Sequence, residues 1–247
     1  MIITGNSIAE CWLKMLNKIV NCSGKEISPL MVKINITDER PEYEQELEED
    51  INKFLNGLKP KQPEISTTAG TIFPVSLSGG KTSIFERYRR IKKPLLNDKR
   101  NKKGTYFHRL MAYGGTYKAP VNQLQHIINT YNSGIHRRSA LIATIFDPTL
   151  DHKATPLLGF PCLQQVCFTP NTKKKELSLN AIYAMQYIDI RAYGNYLGLV
   201  NLGVFMAKEM NLKFCQLNCM LSVAALGKMT KAEVKSLVNK YSDRVEF

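Results

Sequence analysis

The chain has 247 residues, long enough for one large α/β domain with a sizeable core, and its 44% apolar and 22% charged residues are ordinary for a folded protein. No run of eighteen or more uncharged apolar residues offers a membrane span, and the start Met1-Ile-Ile-Thr-Gly lacks the basic and apolar regions of a secretory signal, so a cytoplasmic location is expected. A net charge of +13, from 34 Lys and Arg against 21 Asp and Glu, favours anionic partners such as nucleotides, polyglutamylated cofactors or nucleic acid.

In chain order, residues 7–19 place Ile8, Cys11, Trp12, Met15, Leu16 and Ile19 at helical spacing, with Asn6 or Ser7 as N-cap. Residues 30–36 alternate as a strand, and 42–58 read as an acid-faced helix ended by Gly57 and Pro60, with a loop at 59–64. Helices are expected at 82–90 and 120–130, and strands at 139–146 and 163–169. Residues 177–188 alternate with Leu177, Leu179, Ala181 and Tyr183 on one face, and 195–210 form an almost wholly apolar stretch, a buried central helix. The expected fold is therefore mixed α/β or α+β in a single domain spanning 1–247. A zinc site is not expected at Cys215 and Cys219, whose helical spacing has no CxxC or HxxxH companion, and the six cysteines read as reduced thiols.

Charge is unevenly spread. Residues 41–50 carry six acids, whereas 87–103 hold Arg87, Arg89, Arg90, Lys92, Lys93, Lys99, Arg100, Lys102 and Lys103. The basic stretch has two readings, a solvated loop beside an anion site and a nucleic-acid contact. Ser78-Gly79-Gly80-Lys81-Thr82-Ser83 ends like a phosphate-binding loop, but the GxxxxGK[ST] spacing would put glycine where Val75 stands, so a plain turn is the expectation.

Four blocks occur in one order: Tyr113-Gly114, Asn122-Gln123-Leu124, His136-Arg137-Arg138 and Pro161-Cys162. A cysteine after a proline suits a nucleophile, and adjacent arginines suit a dianionic phosphate. Over residues 104–226 these blocks resemble the thymidylate synthase superfamily, including its pyrimidine nucleotide hydroxymethylases. The resemblance implies an obligate homodimer in which Arg137 and Arg138 cross the interface to hold substrate phosphate. It implies that Cys162 adds to C6 of a pyrimidine nucleotide, making C5 nucleophilic toward a one-carbon unit carried by 5,10-methylenetetrahydrofolate, with methyl or hydroxymethyl transfer as the outcome. A thiolate is required, and Arg137 or Arg138 is expected to help lower the thiol pKa. Tyr113 and Asn195 match substrate-side positions, Asn195 reading the pyrimidine edge, and Asp189 or Tyr187 stands at the acidic position between.

Departures from the family pattern are as plain as matches. Leu163 follows the nucleophile where histidine is usual, Ala184, Met185 and Gln186 stand where an arginine–serine pair binds phosphate, and no His-x-Tyr pair follows in 215–226. Glu86 is the candidate general acid/base. Two function classes follow: a C5 methyl- or hydroxymethyltransferase, and a diverged member that binds a nucleotide or nucleic acid without turnover.

Overall fold

The computed structural model describes residues 1–37, 39–79, 82–97, 101, 104–114, 120–152 and 160–247. Its main sheet is mixed and six-stranded, in the order β1 (Ile2–Gly5), β3 (Leu30–Asn35), β8 (Lys213–Leu221), β6 (Glu176–Tyr183), β5 (Leu163–Asn171) and β4 (Ile142–Thr144). A small sheet joins β2 (Glu26–Ile27), β9 (Ala224–Ala225) and β7 (Gln186–Tyr187). The result is an α+β arrangement, as the alternation of periods in the sequence implies.

Two parallel pairs explain the layering. β1 and β3 run parallel across α1 (Ile8–Val20), and β6 and β8 run parallel across α8 (Tyr193–Glu209). A parallel connection needs a crossover, and a crossover helix packs back on the sheet. Both helices touch the sheet and each other, so they cover one face. The alternating burial of β3, β6 and β8 turns Leu30, Val32, Ile34, Leu177, Leu179, Ala181, Tyr183, Leu217 and Cys219 toward them.

The opposite face has no helix over it among the described residues. It carries half-buried polar groups joined across strands: Asn180 Nδ2 donates to Thr169 Oγ1 at 3.0 Å, Asn218 Nδ2 to Asn180 Oδ1 at 2.9 Å and Gln216 Nε2 to Asn35 Oδ1 at 3.2 Å. Met31, Ile142 and Met220 stand exposed around this ladder.

Helix starts follow their caps. Ser7 accepts from Glu10 N at 3.0 Å at the head of α1, and Asn122 accepts from Gln125 N at 3.1 Å at the head of α6 (Gln123–Asn132). The acid-faced helix is α2 (Glu44–Gly57), whose Leu47, Ile51 and Leu55 face the core. α8 is apolar on nearly all sides because it is enclosed: α3 (Ile65–Ile72) lies so close that a Cβ on Gly194 would come within 2.7 Å of Thr68 Cβ, and one on Gly198 within 2.7 Å of Ala69 O. Buried apolar side chains from β1 through α9 (Lys231–Lys240) form one continuous cluster.

Cys215 and Cys219, noted for their i,i+4 spacing, lie on the strand β8, and a bulge beside Cys215 leaves it half-buried while Cys219 is buried. Two expectations are corrected. The basic stretch is helix rather than loop up to Asn97, within α4 (Ile84–Asn97), because Ile84, Phe85 and Tyr88 anchor it to the core. The strand expected at 139–146 is limited to β4, preceded by a 3-10 turn at Arg138–Ala140. Gly80 and Lys81 of the glycine-lysine motif, and Lys99, Arg100, Lys102 and Lys103 of the basic stretch, lie outside the described residues.

Candidate active site

Cys162 stands at the mouth of the sheet, just before β5, where β6 and β8 also end. Leu163 pairs with Tyr183 and Tyr183 with Leu221, and Ala184 N donates to the Cys162 carbonyl at 2.9 Å. Gln164 folds back to donate to the Pro161 carbonyl, and the register shifts between Leu163 and Gln165, so the cysteine sits on a kinked strand entrance.

Two side chains flank it. Tyr106 opens α5 (Tyr106–Met111), set by the Thr105 cap, whose hydroxyl accepts from His108 N at 3.2 Å. Burial pushes the Tyr106 pKa up to about 12, with the Cys162 sulfur adding to the rise and the backbones of Leu163 and Cys162 pulling the other way. Tyr106 therefore stays protonated near neutrality and remains a donor beside the sulfur. Arg191 lies in a π-helical turn, Ile188–Ala192, directly before α8. Its guanidinium donates to Gln62 Oε1 at 3.2 Å, and burial lowers its pKa while Tyr106 and Cys162 raise it.

Cys162 is exposed, yet the surrounding protein is dense enough that desolvation pushes its thiol above the ordinary value, with Arg191 pulling the other way. Arg191 is thus the cation that favours the thiolate. Behind these groups Tyr183 is wholly buried with no partner for its hydroxyl among the described residues, and burial raises its pKa, with Cys219, Tyr106, Tyr196 and Cys162 adding to the rise. Gln186, 2% exposed, has neither amide atom paired among the described residues. Unpaired buried polar groups are costly and are commonly met by water or ligand.

Other sequence candidates fall differently. Arg137 and Arg138 are exposed before β4, whose start lies beside the far end of β5: Phe168 N donates to Leu141 O at 2.9 Å. Six residues of strand separate Phe168 from Cys162, about 20 Å. These arginines do not tune the sulfur of their own chain, which corrects that expectation. Glu86 is exposed on α4, on the side away from the buried Ile84, Phe85 and Tyr88. Asp189 is 2% exposed, and its carboxylate accepts from Gly227 N at 2.7 Å, Lys228 N at 2.6 Å and Met229 N at 2.7 Å. It braces the π-turn carrying Arg191. Asn195, 5% exposed, lies in the first turn of α8, one helical turn beyond Arg191.

Tyr113 donates to the Phe146 carbonyl at 3.2 Å, and Phe146 N in turn donates to Gln164 O at 3.1 Å, so this tyrosine supports the strand entrance. Gln123 pairs with β4 like a strand residue, donating to Thr144 O at 2.8 Å and accepting from Thr144 N at 2.9 Å. Beneath this wall Arg109 forks onto Asp151, at 2.5 and 2.8 Å, tying α5 to α7 (Pro148–Asp151).

Sequence reasoning missed Tyr106 and Arg191. One signal was available for the second: Arg191 is the lone arginine between Arg138 and Arg244. What fold and site define is an α+β protein with a cysteine, tyrosine and arginine gathered at the mouth of a mixed sheet. No protein-family model matches the chain, and no curated protein matches it. No helix among the described residues is long and apolar enough to cross a membrane.

Proposed function

We propose that the chain is a thymidylate-synthase-like transferase that adds a one-carbon unit to C5 of a pyrimidine nucleotide through a cysteine adduct at C6. The observation that carries this reading is the grouping of Cys162, Tyr106 and Arg191. Arg191 favours the Cys162 thiolate electrostatically, the sulfur adds to C6, and the displaced electron pair renders C5 nucleophilic. Tyr106, held neutral by burial, donates a hydrogen bond to oxygen charge developing on the base. Arg191 serves one anionic group at a time, so the phosphate needs further cations.

The orphaned Tyr183 hydroxyl, electrostatically coupled to Tyr106 and Cys162, fits a polar ligand in this mouth. Asn195 follows Arg191 by one turn and is assigned to the pyrimidine edge. 5,10-Methylenetetrahydrofolate would supply the transferred carbon, giving methyl if the folate also donates hydride or hydroxymethyl if water intercepts the intermediate, with the C5 proton lost and Cys162 released from C6. Phosphate is assigned to the partner subunit's Arg137 and the partner subunit's Arg138, since those of the same chain stand about 20 Å along β5 from its cysteine. The open polar face of the main sheet is the surface for that homodimer. A mixture of Cys162→Ser chains with chains lacking both arginines should then regain activity, since one hybrid site carries intact copies of each.

Mass spectrometry tests the reaction. The protein is incubated with 5-fluorodeoxyuridine or 5-fluorodeoxycytidine monophosphate and 5,10-methylenetetrahydrofolate, because a C5 fluorine does not leave as a proton and the adduct accumulates. A mass gain on wild type, lost in Cys162→Ser, is expected; no gain with either nucleotide overturns the proposal. A second reading, a diverged member that binds a nucleotide without turnover, is favoured by the raised Cys162 pKa, which leaves less thiolate near neutrality. Thermal stabilisation by nucleotide without an adduct selects it.

A further inference from the structure

We propose that the outward half of α4 is a docking surface for the phosphodiester backbone of a nucleic acid. The N-terminal turns of α4 are held by Ile84, Phe85 and Tyr88, but from Arg89 to Pro94 every residue is exposed. Arg89, Arg90, Lys92 and Lys93 occupy this segment, and among the described residues none of the four is ion-paired or hydrogen-bonded through its side chain. Arg89 faces Lys92 and Lys93 at i+3 and i+4, and Arg90 faces Lys93 at i+3. Like charges at these spacings destabilise a helix unless counter-charge arrives from outside.

The acidic helix shows the contrast. On α2, Glu46 and Asp50 are neutralised within the chain by Lys240 at 2.9 and 2.5 Å and, for Glu46, by Arg244 at 2.7 Å. Among the described residues α4 has no such relief, in a chain of net charge +13. The class of partner follows from what the segment lacks as well as what it has. Its apolar side is already committed to the core, so it has no face to lay into a bilayer. A protein interface needs an apolar centre, and here only Ile91, 39% exposed, is offered. A row of cations with forked guanidinium groups suits the regularly spaced phosphates of a polynucleotide.

The test is fluorescence anisotropy with short labelled single-stranded DNA, duplex DNA and RNA, titrated from about 50 to about 200 mM salt. Wild type is compared with R89Q/K92Q/K93Q and with K173Q/K174Q/K175Q, which removes the same charge from the exposed turn between β5 and β6. Glutamine preserves helix propensity. The α4 variant should bind at least tenfold more weakly at the lowest salt, its salt slope on single strands smaller by about 2, since each lost phosphate contact removes about 0.7. The turn variant should stay within twofold of wild type. Circular dichroism checks folding, and the single substitutions R89Q and K93Q, each lowering the slope by about 0.7, decide the matter should the triple variant misfold. Equal losses in both triple variants, absence of binding to any nucleic acid, or binding to phosphatidylserine vesicles alone would overturn the proposal.

Discussion

Replacing Asp189 with asparagine separates two roles for one carboxylate. Its oxygens accept three backbone amides, from Gly227, Lys228 and Met229, at 2.6 to 2.7 Å. An asparagine oriented to keep Lys228 and Met229 turns an NH2 toward the Gly227 amide, losing one bond to a charged acceptor. The two remaining bonds fall from charge-assisted to neutral strength. At about 1.5–3 kcal/mol for a bond to a charged group and about 1 for a neutral one, the loss is about 2.5–7 kcal/mol. For a chain of this size each kcal/mol shifts Tm by about 2–4 °C, so a fall of roughly 5–28 °C is expected. Denaturant titration can follow Trp12 fluorescence, since this only tryptophan donates to the Ile188 carbonyl at 2.8 Å, next to Asp189. A loss under about 1 kcal/mol would refute the structural assignment, leaving the carboxylate available to a ligand.

Arg191→Gln should raise the pH midpoint for alkylation of Cys162, read peptide by peptide: a cation stabilises the thiolate, so removing it adds to the upward push of burial. An unchanged or lower midpoint contradicts the coupling. Asp151→Asn should cost about 3–5 kcal/mol in a denaturant titration, because it removes the buried carboxylate charge onto which the Arg109 guanidinium forks, and a neutral result would contradict the fork geometry. Glu86→Gln should leave both stability and any Cys162-dependent reaction within experimental error, as the side chain is exposed on α4. A tenfold loss of reaction rate there would restore it as the proton-transfer group.

Long periodic segments were legible in the sequence because burial on one face imposes its own period. The apolar spacing from Ile8 to Ile19 became α1, the alternation from Leu177 to Tyr183 became the covered face of β6, and the apolar stretch after Asn195 became the enclosed helix α8. β2, β7 and β9 were not legible: at two residues each they have no period. The start of α4 was legible over 82–90, where Ile84, Phe85 and Tyr88 supply the apolar spacing, but its continuation to Asn97 was not, because every residue from Arg89 to Pro94 is exposed and sets no period. At the site, Pro161-Cys162 marked the strand entrance, whereas Arg191 reaches it only through the π-turn, whose geometry no spacing rule encodes. Asp189 was chosen for its position between neighbours; its real partners are backbone amides, which carry no side-chain signature.

The central claim is that Cys162 attacks C6 of a pyrimidine nucleotide, and proton exchange at C5 reports that attack directly. Tritium release from C5-labelled deoxyuridine and deoxycytidine monophosphates, with and without 5,10-methylenetetrahydrofolate, is to be compared between wild type, Cys162→Ser and Arg191→Gln. Release from one of the two nucleotides by wild type is expected, with none from Cys162→Ser and a slower rate from Arg191→Gln at neutral pH. Equal release by wild type and Cys162→Ser, or none by wild type despite thermal stabilisation by the nucleotide, would contradict it.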